Sequence, residues 1–121
     1  MTQHVALDAG RWARFDLDQQ VLMVGNEMNR VAGAIEAGRS DARCRGYERV
    51  LRLTDLTVAA PSRPAFRREL LRWRDLVAAL YVSESADPGA HREAFRTLLR
   101  MRPVAARQLP LLDATRDRPI E

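Results

Sequence analysis

The sequence predicts an all-α fold, an antiparallel up-down-up-down four-helix bundle. Three observations carry this expectation. Apolar residues recur at alternating spacings of three and four along several stretches, the mark of helices that pack on one another. Residues that start and stop helices stand between those stretches. The connections at Gly38–Asp41, Ala59–Ser62 and Ser83–Asp87 are short, and short loops make consecutive helices antiparallel neighbours.

Each element has its own justification. Asp16 or Asp18 offers a side-chain oxygen to cap the first long helix. Leu17, Val21, Val24, Met28, Val31 and Ile35 then form a heptad seam, and Gly38 is placed to stop it in the left-handed conformation that glycine accepts cheaply. Ser40 or Asp41 opens the second helix, whose seam is Cys44, Tyr47, Leu51, Thr54 and Val58, widened by Val50, Leu53 and Thr57. The β-branched stretch Leu56–Ala60 favours a strand locally, but the helical period before it outweighs that preference. Pro61 ends the helix, and Ser62 with Pro64 opens a third carrying Phe66, Leu70, Trp73, Val77 and Leu80 on one stripe. Asp87-Pro88 opens the fourth, with Ala94, Phe95, Leu98, Leu99 and Met101; Pro103 interrupts it, and Val104–Leu109 is placed as a further short helical turn. The resulting organisation is an irregular lead-in over residues 1–15, a helical domain over 16–109 and a flexible tail over 110–121.

Composition narrows the function classes. The 46% apolar and 30% charged shares of the 121 residues belong to an ordinary globular domain. No apolar run approaches the roughly 20 residues of a membrane helix, no signal-peptide pattern is visible, and one cysteine, Cys44, builds no internal disulfide. These features predict a cytoplasmic protein without membrane contact. All 20 cationic side chains are arginine and none is lysine. Arginine suits bidentate anion contacts, but a GC-rich coding bias explains the same pattern, and a net charge of +4 is small for a nucleic-acid binder.

Catalytic and metal signatures are absent. Glu27, Glu48 and Asp55 fall beside the seams, as do Arg67 and Arg74, which fits interhelical ion pairs better than a di-metal carboxylate site, since no Glu-x-x-His pair is present. His4 stands in the lead-in, and His91 has no ligand partner at helical spacing, so it is expected to be a partly buried, hydrogen-bonded side chain. Cys44 is expected to pack as a small apolar residue, and Gly25, Gly33 and Gly38 match no phosphate-cradling motif. No catalytic residue, metal or cofactor is assigned.

Two surfaces stand out instead. Arg92, Arg96 and Arg100 form one stripe at i, i+4 and i+8, and the segment 91–109 holds five arginines against one glutamate, a surplus equal to the whole net charge of +4. This is a solvated basic face or a contact for nucleic acid or an acidic partner. The run Val21-Leu22-Met23-Val24 points around the whole of the first long helix, although one seam needs only a stripe. Leu22 and Met23, beside the small flank of Gly25, Ala32 and Gly33, need a further partner: residues 104–112 folded back, or a second copy of the chain.

Three sequence blocks carry a resemblance. They are Trp12 and Phe15 with Gln20, Leu22-Met23 and Asn26-Glu27-Met28-Asn29-Arg30; Glu48-Arg49 with Leu53-Thr54-Asp55-Leu56-Thr57; and Glu69-Leu70-Leu71-Arg72-Trp73-Arg74-Asp75. Over about residues 12–82 the chain resembles a group of short, uncharacterised prokaryotic helical proteins without a functional name. The resemblance implies a helical fold and no activity, and it singles out Glu27, Arg30, Asp55 and Arg74. The expected function is therefore a non-enzymatic interaction or regulatory module, homodimeric through Leu22, Met23 and Gly25 and open to a protein partner. A nucleic-acid accessory protein using the arginine stripe is the alternative, and an enzyme using Glu27, Glu48 or Asp55 in an interhelical cleft is a third.

Overall fold

The computed structural model describes residues 9–112, which are helical without any strand. In chain order the elements are α1 (Ala9–Trp12), α2 (Leu17–Glu36), α3 (Ser40–Ala59), α4 (Pro64–Val82), α5 (Pro88–Arg100) and α6 (Pro103–Ala106). Residues 109–112 are helical again. Helix α2 packs on α3, α3 on α4, α4 on α5, and α5 returns to α2. The two short helices sit against this set, α1 on α3 and α6 on both α2 and α5.

Local sequence explains the helix ends. Asp16 caps α2 through a reciprocal box: its carboxylate accepts from the Gln19 amide at 2.8 Å while Gln19 Oε1 accepts from the Asp16 amide at 2.9 Å. At the other end Gly38 takes φ +69°. The Gly38 amide then bonds the Ile35 carbonyl, and the Arg39 amide bonds that of Ala34 at 2.9 Å. Helix α3 starts one residue later behind Arg39, which gives it no side-chain cap. Asp87 caps α5 through the Ala90 amide at 3.0 Å, with Pro88 in its first turn.

The core is built from the expected seams of α2, α4 and α5. Val21, Val24, Met28 and Val31 share one core with Phe66, Leu70, Trp73 and Val77 and with Ala94, Phe95, Leu98 and Leu99. Each fully buried side chain of this size contributes roughly 1.5–3 kcal/mol of apolar transfer. The seam of α3 is shifted toward the side on which Val50, Leu53 and Thr57 widen it. Arg43, Gly46, Tyr47, Val50, Leu53, Thr54 and Thr57 are buried, while Cys44, Leu51 and Val58 are only half-buried. Gly46 is the reason α3 can come so close: a Cβ there would overlap Val31 Cγ2 of α2.

The expected irregular lead-in contains α1, and Trp12 is fully buried. Its indole N–H donates to Thr57 Oγ1 at 2.9 Å, and that hydroxyl donates onward to the Leu53 carbonyl. Gln20 holds the same segment from α2, its amide donating to the carbonyls of Trp12 and Phe15. A large apolar ring with a satisfied N–H outweighs the weak local helix signal of residues 9–12. His4 and most of the expected tail lie outside the described residues.

Candidate functional site

Helix α5 turns His91, Ala94, Phe95, Leu98 and Leu99 inward. His91 Nε2 lies 2.9 Å from the Met28 carbonyl oxygen, which only accepts, so the ring proton sits on Nε2. Nδ1 then accepts from the Tyr47 hydroxyl at 2.8 Å. Burial holds the His91 ring below its ordinary pKa; the hydrogen bond to Met28 opposes this and the Arg92 charge adds to it. Burial likewise pushes the Tyr47 phenol up to about 12, with Arg43 opposing and Asp87 adding. Both groups are neutral at pH 7, and the chain Tyr47–His91–Met28 ties α3, α5 and α2 together as a structural strut.

Outside this strut, α2 and α5 enclose a groove made of two adjoining hollows of about 490 and 470 Å³ that share Asn29, Phe95 and Leu112. The first is floored by Leu22, Gly25 and Leu99 and edged by Asn26, Gln108 and Leu111. The second runs past Ala32, Gly33 and Ile35 to Glu36 on α2 and to Arg92 on α5. A Cβ at Gly25 would stand 3.6 Å from both Phe95 and Leu99, whereas at Gly33 it would meet nothing within 4 Å. The groove is therefore filled at one end by α5 and open at the other. It offers an apolar floor, an amide-bearing rim and opposite charges at its open end.

The predicted residues separate. Leu22 and Met23 are half-buried and pack on the core, and Gly25 is buried against α5 of the same chain. Helix α6 and the following residues fold back on α2, and Leu112 is half-buried there while Leu111 remains 64% exposed. The arginine stripe divides as well: Arg92 lines the groove, Arg96 stands 3.9 Å from Glu93, and Arg100 is exposed.

The polar residues beside the seams form separate contacts rather than one constellation. Glu27 accepts from Arg49 at 2.8 Å and stands 3.5 Å from Arg30. Asp55 receives both Nε and Nη2 of Arg74, a bond that raises the guanidinium's pKa above its ordinary value. Glu48 accepts from the Tyr81 hydroxyl at 2.8 Å, and Arg67 caps the end of α3 through the carbonyls of Val58 and Ala60. Among the described residues no three His, Cys, Asp or Glu side chains cluster as metal ligands, and no helix is long and apolar enough to cross a membrane.

No family model, curated protein or solved structure matches this chain. The site is thus read from its own geometry. Sequence reasoning missed two features. The groove's far wall, Phe95 and Leu99, was legible only as core. Arg43 was passed over, although it stands seven and fourteen residues before the buried Val50 and Thr57 and so shares their heptad position.

Proposed function

We propose that this protein is a non-enzymatic helical interaction module, its four long helices arranged as an antiparallel up-down-up-down bundle, which pairs with a second copy through the α2/α5 groove. The observation that carries the reading is an exposed apolar side chain beside an open groove with an apolar floor. Leu111 stands exposed on the lip of an apolar groove whose floor is open at Gly33. A two-fold pair uses the same patch on both sides, so a protruding side chain beside a matching hollow satisfies it twice. Glu36 and Arg92 at the open end have opposite charges, and a two-fold axis through the groove sets each against the other's counterpart. Self-association also completes the burial of Leu22, which the chain's own α6 segment covers only in part.

Charge reversal tests this directly. Glu36→Arg and Arg92→Glu are each expected to turn a dimer into a monomer in sedimentation velocity. Mixing the two variants is expected to restore a heterodimer, because each reversed charge then faces an opposite one across the axis. Leu111→Asp is expected to weaken pairing independently. A wild-type chain that stays monomeric throughout the accessible concentration range would overturn the reading. So would a dimer indifferent to all three substitutions.

A further inference from the structure

Arg43 is the most buried charged side chain described, only 6% exposed, yet no carboxylate among the described residues pairs with it. Its one hydrogen bond runs from Nη2 to the Glu84 carbonyl at a long 3.4 Å. The better-exposed Arg49, Arg74 and Arg102 each have a carboxylate partner, namely Glu27, Asp55 and Asp18. The remaining guanidinium donors are not sealed off without a partner; they open to solvent in the adjoining cavity, where an anion would meet them.

The surroundings of Arg43 supply further donors for the same anion. It lines a cavity of about 120 Å³ at the junction of the α2–α3 and α4–α5 turns, together with Gly38, Arg39, Ser40 and Ser85. The N-terminus of the 20-residue α3 opens there without a side-chain cap. The amides of Ser40, Asp41 and Ala42 have no hydrogen-bond partner among the described residues, so three N–H groups and the positive end of the helix dipole are free. A second hollow of about 410 Å³ shares Arg39 and Ser40 and extends to Arg45. Two carboxylates border the region, Asp41 and Glu84, and both residues are exposed; three guanidiniums stand against them.

We propose that this pocket binds the phosphate group of a small phosphomonoester, with Arg43 and the α3 amides on the phosphate and the outer hollow on the organic remainder. Donors from several directions match a tetrahedral oxyanion better than a planar carboxylate, and the forked guanidinium suits two phosphate oxygens at once. The site lies at the Gly38 turn and does not use the α2/α5 groove, so it stands or falls apart from the self-association reading.

The test compares inorganic phosphate, glucose 6-phosphate and acetate at matched ionic strength, by thermal unfolding and calorimetric titration. Both phosphates are expected to raise the unfolding midpoint and acetate to leave it unmoved, with the sugar phosphate binding more tightly. Arg39→Glu, an exposed substitution, is expected to weaken phosphate affinity on the order of tenfold or more. Arg43→Met is expected to abolish the response yet unfold no earlier than wild type in phosphate-free buffer, because it removes a largely buried charge that no carboxylate balances. If Arg43 were only structural, that variant would lose stability and keep its phosphate response. Equal binding of free phosphate and sugar phosphate would overturn the role given to the outer hollow. A response no larger than that to acetate, or one unchanged in Arg39→Glu, would overturn the site.

Discussion

His91 is held from both sides of its ring, and that fixes both its protonation and its dependence on pH. With Nε2 donating to the Met28 carbonyl and Nδ1 accepting from Tyr47, the neutral tautomer is the one the fold satisfies. Tyr47→Phe removes the donor and leaves Nδ1 buried without a partner, which is expected to cost about 1–3 kcal/mol in urea denaturation. The pH dependence follows from the direction of the His91 shift. The unfolded chain takes up the proton near 6.5, and the folded chain only below that value. Above pH 6.5 this group leaves stability level; as pH falls below it, the unfolded state binds more protons and stability declines, by at most about 1.4 kcal/mol per pH unit. His91→Gln, which keeps a donor and an acceptor, is expected to flatten that decline below about pH 6.5 in the same assay. An unchanged slope would mean that another group titrates.

At the scale of helices, two glycines of similar helical context have opposite roles. On α3, Gly46 faces Val31 so closely that a methyl group would overlap its Cγ2. Gly46→Ala is expected to be destabilising: overpacking costs about 1–3 kcal/mol, against a helix-propensity gain of at most about 1 kcal/mol. On α2, Gly33 has open space around it, and Gly33→Ala is expected to stabilise a dilute sample by roughly 0.5–1 kcal/mol. Denaturant midpoints of the two variants should therefore move in opposite directions. The same pair shows what the sequence discloses. The seams of α2, α4 and α5, the Asp16 and Asp87 caps and the Gly38 stop are local properties, and all were legible. The shift of the α3 seam was legible only in part: the spacing shows that Val50, Leu53 and Thr57 widen it, but not that this side wins, which depends on the close approach of Gly46 to Val31. Once Gly46 faces α2, Val50 and Arg43 turn inward and Cys44 and Leu51 turn partly outward. The groove was half legible for the same reason: Leu22 and Gly25 were conspicuous as surplus apolar and small residues on α2, but their facing wall belongs to α5, distant in sequence.

Across the whole molecule, the short elements close what the long helices leave open. Trp12 from α1 is inserted beneath the end of α3, bonded to Thr57 and held by Gln20 from α2. At the same end Arg102, just ahead of α6, donates to Asp18 at 2.6 Å and lies over the Phe66 ring. Segments before α2 and after α5 thus meet on one end of the core, and the stability of the set depends on side chains that carry no helical periodicity of their own. Trp12→Ala is expected to cost about 3–5 kcal/mol, a large part of the roughly 5–15 kcal/mol that a domain of ordinary stability possesses. Phe15→Ala, at a half-buried ring in edge contact with Trp12, should cost markedly less. If α1 were an appendage resting on a self-sufficient set of four helices, both variants would unfold near the wild-type midpoint. If it is part of the core, Trp12→Ala will lower the midpoint of a single cooperative transition, with far-ultraviolet dichroism and Trp73 fluorescence reporting the same loss.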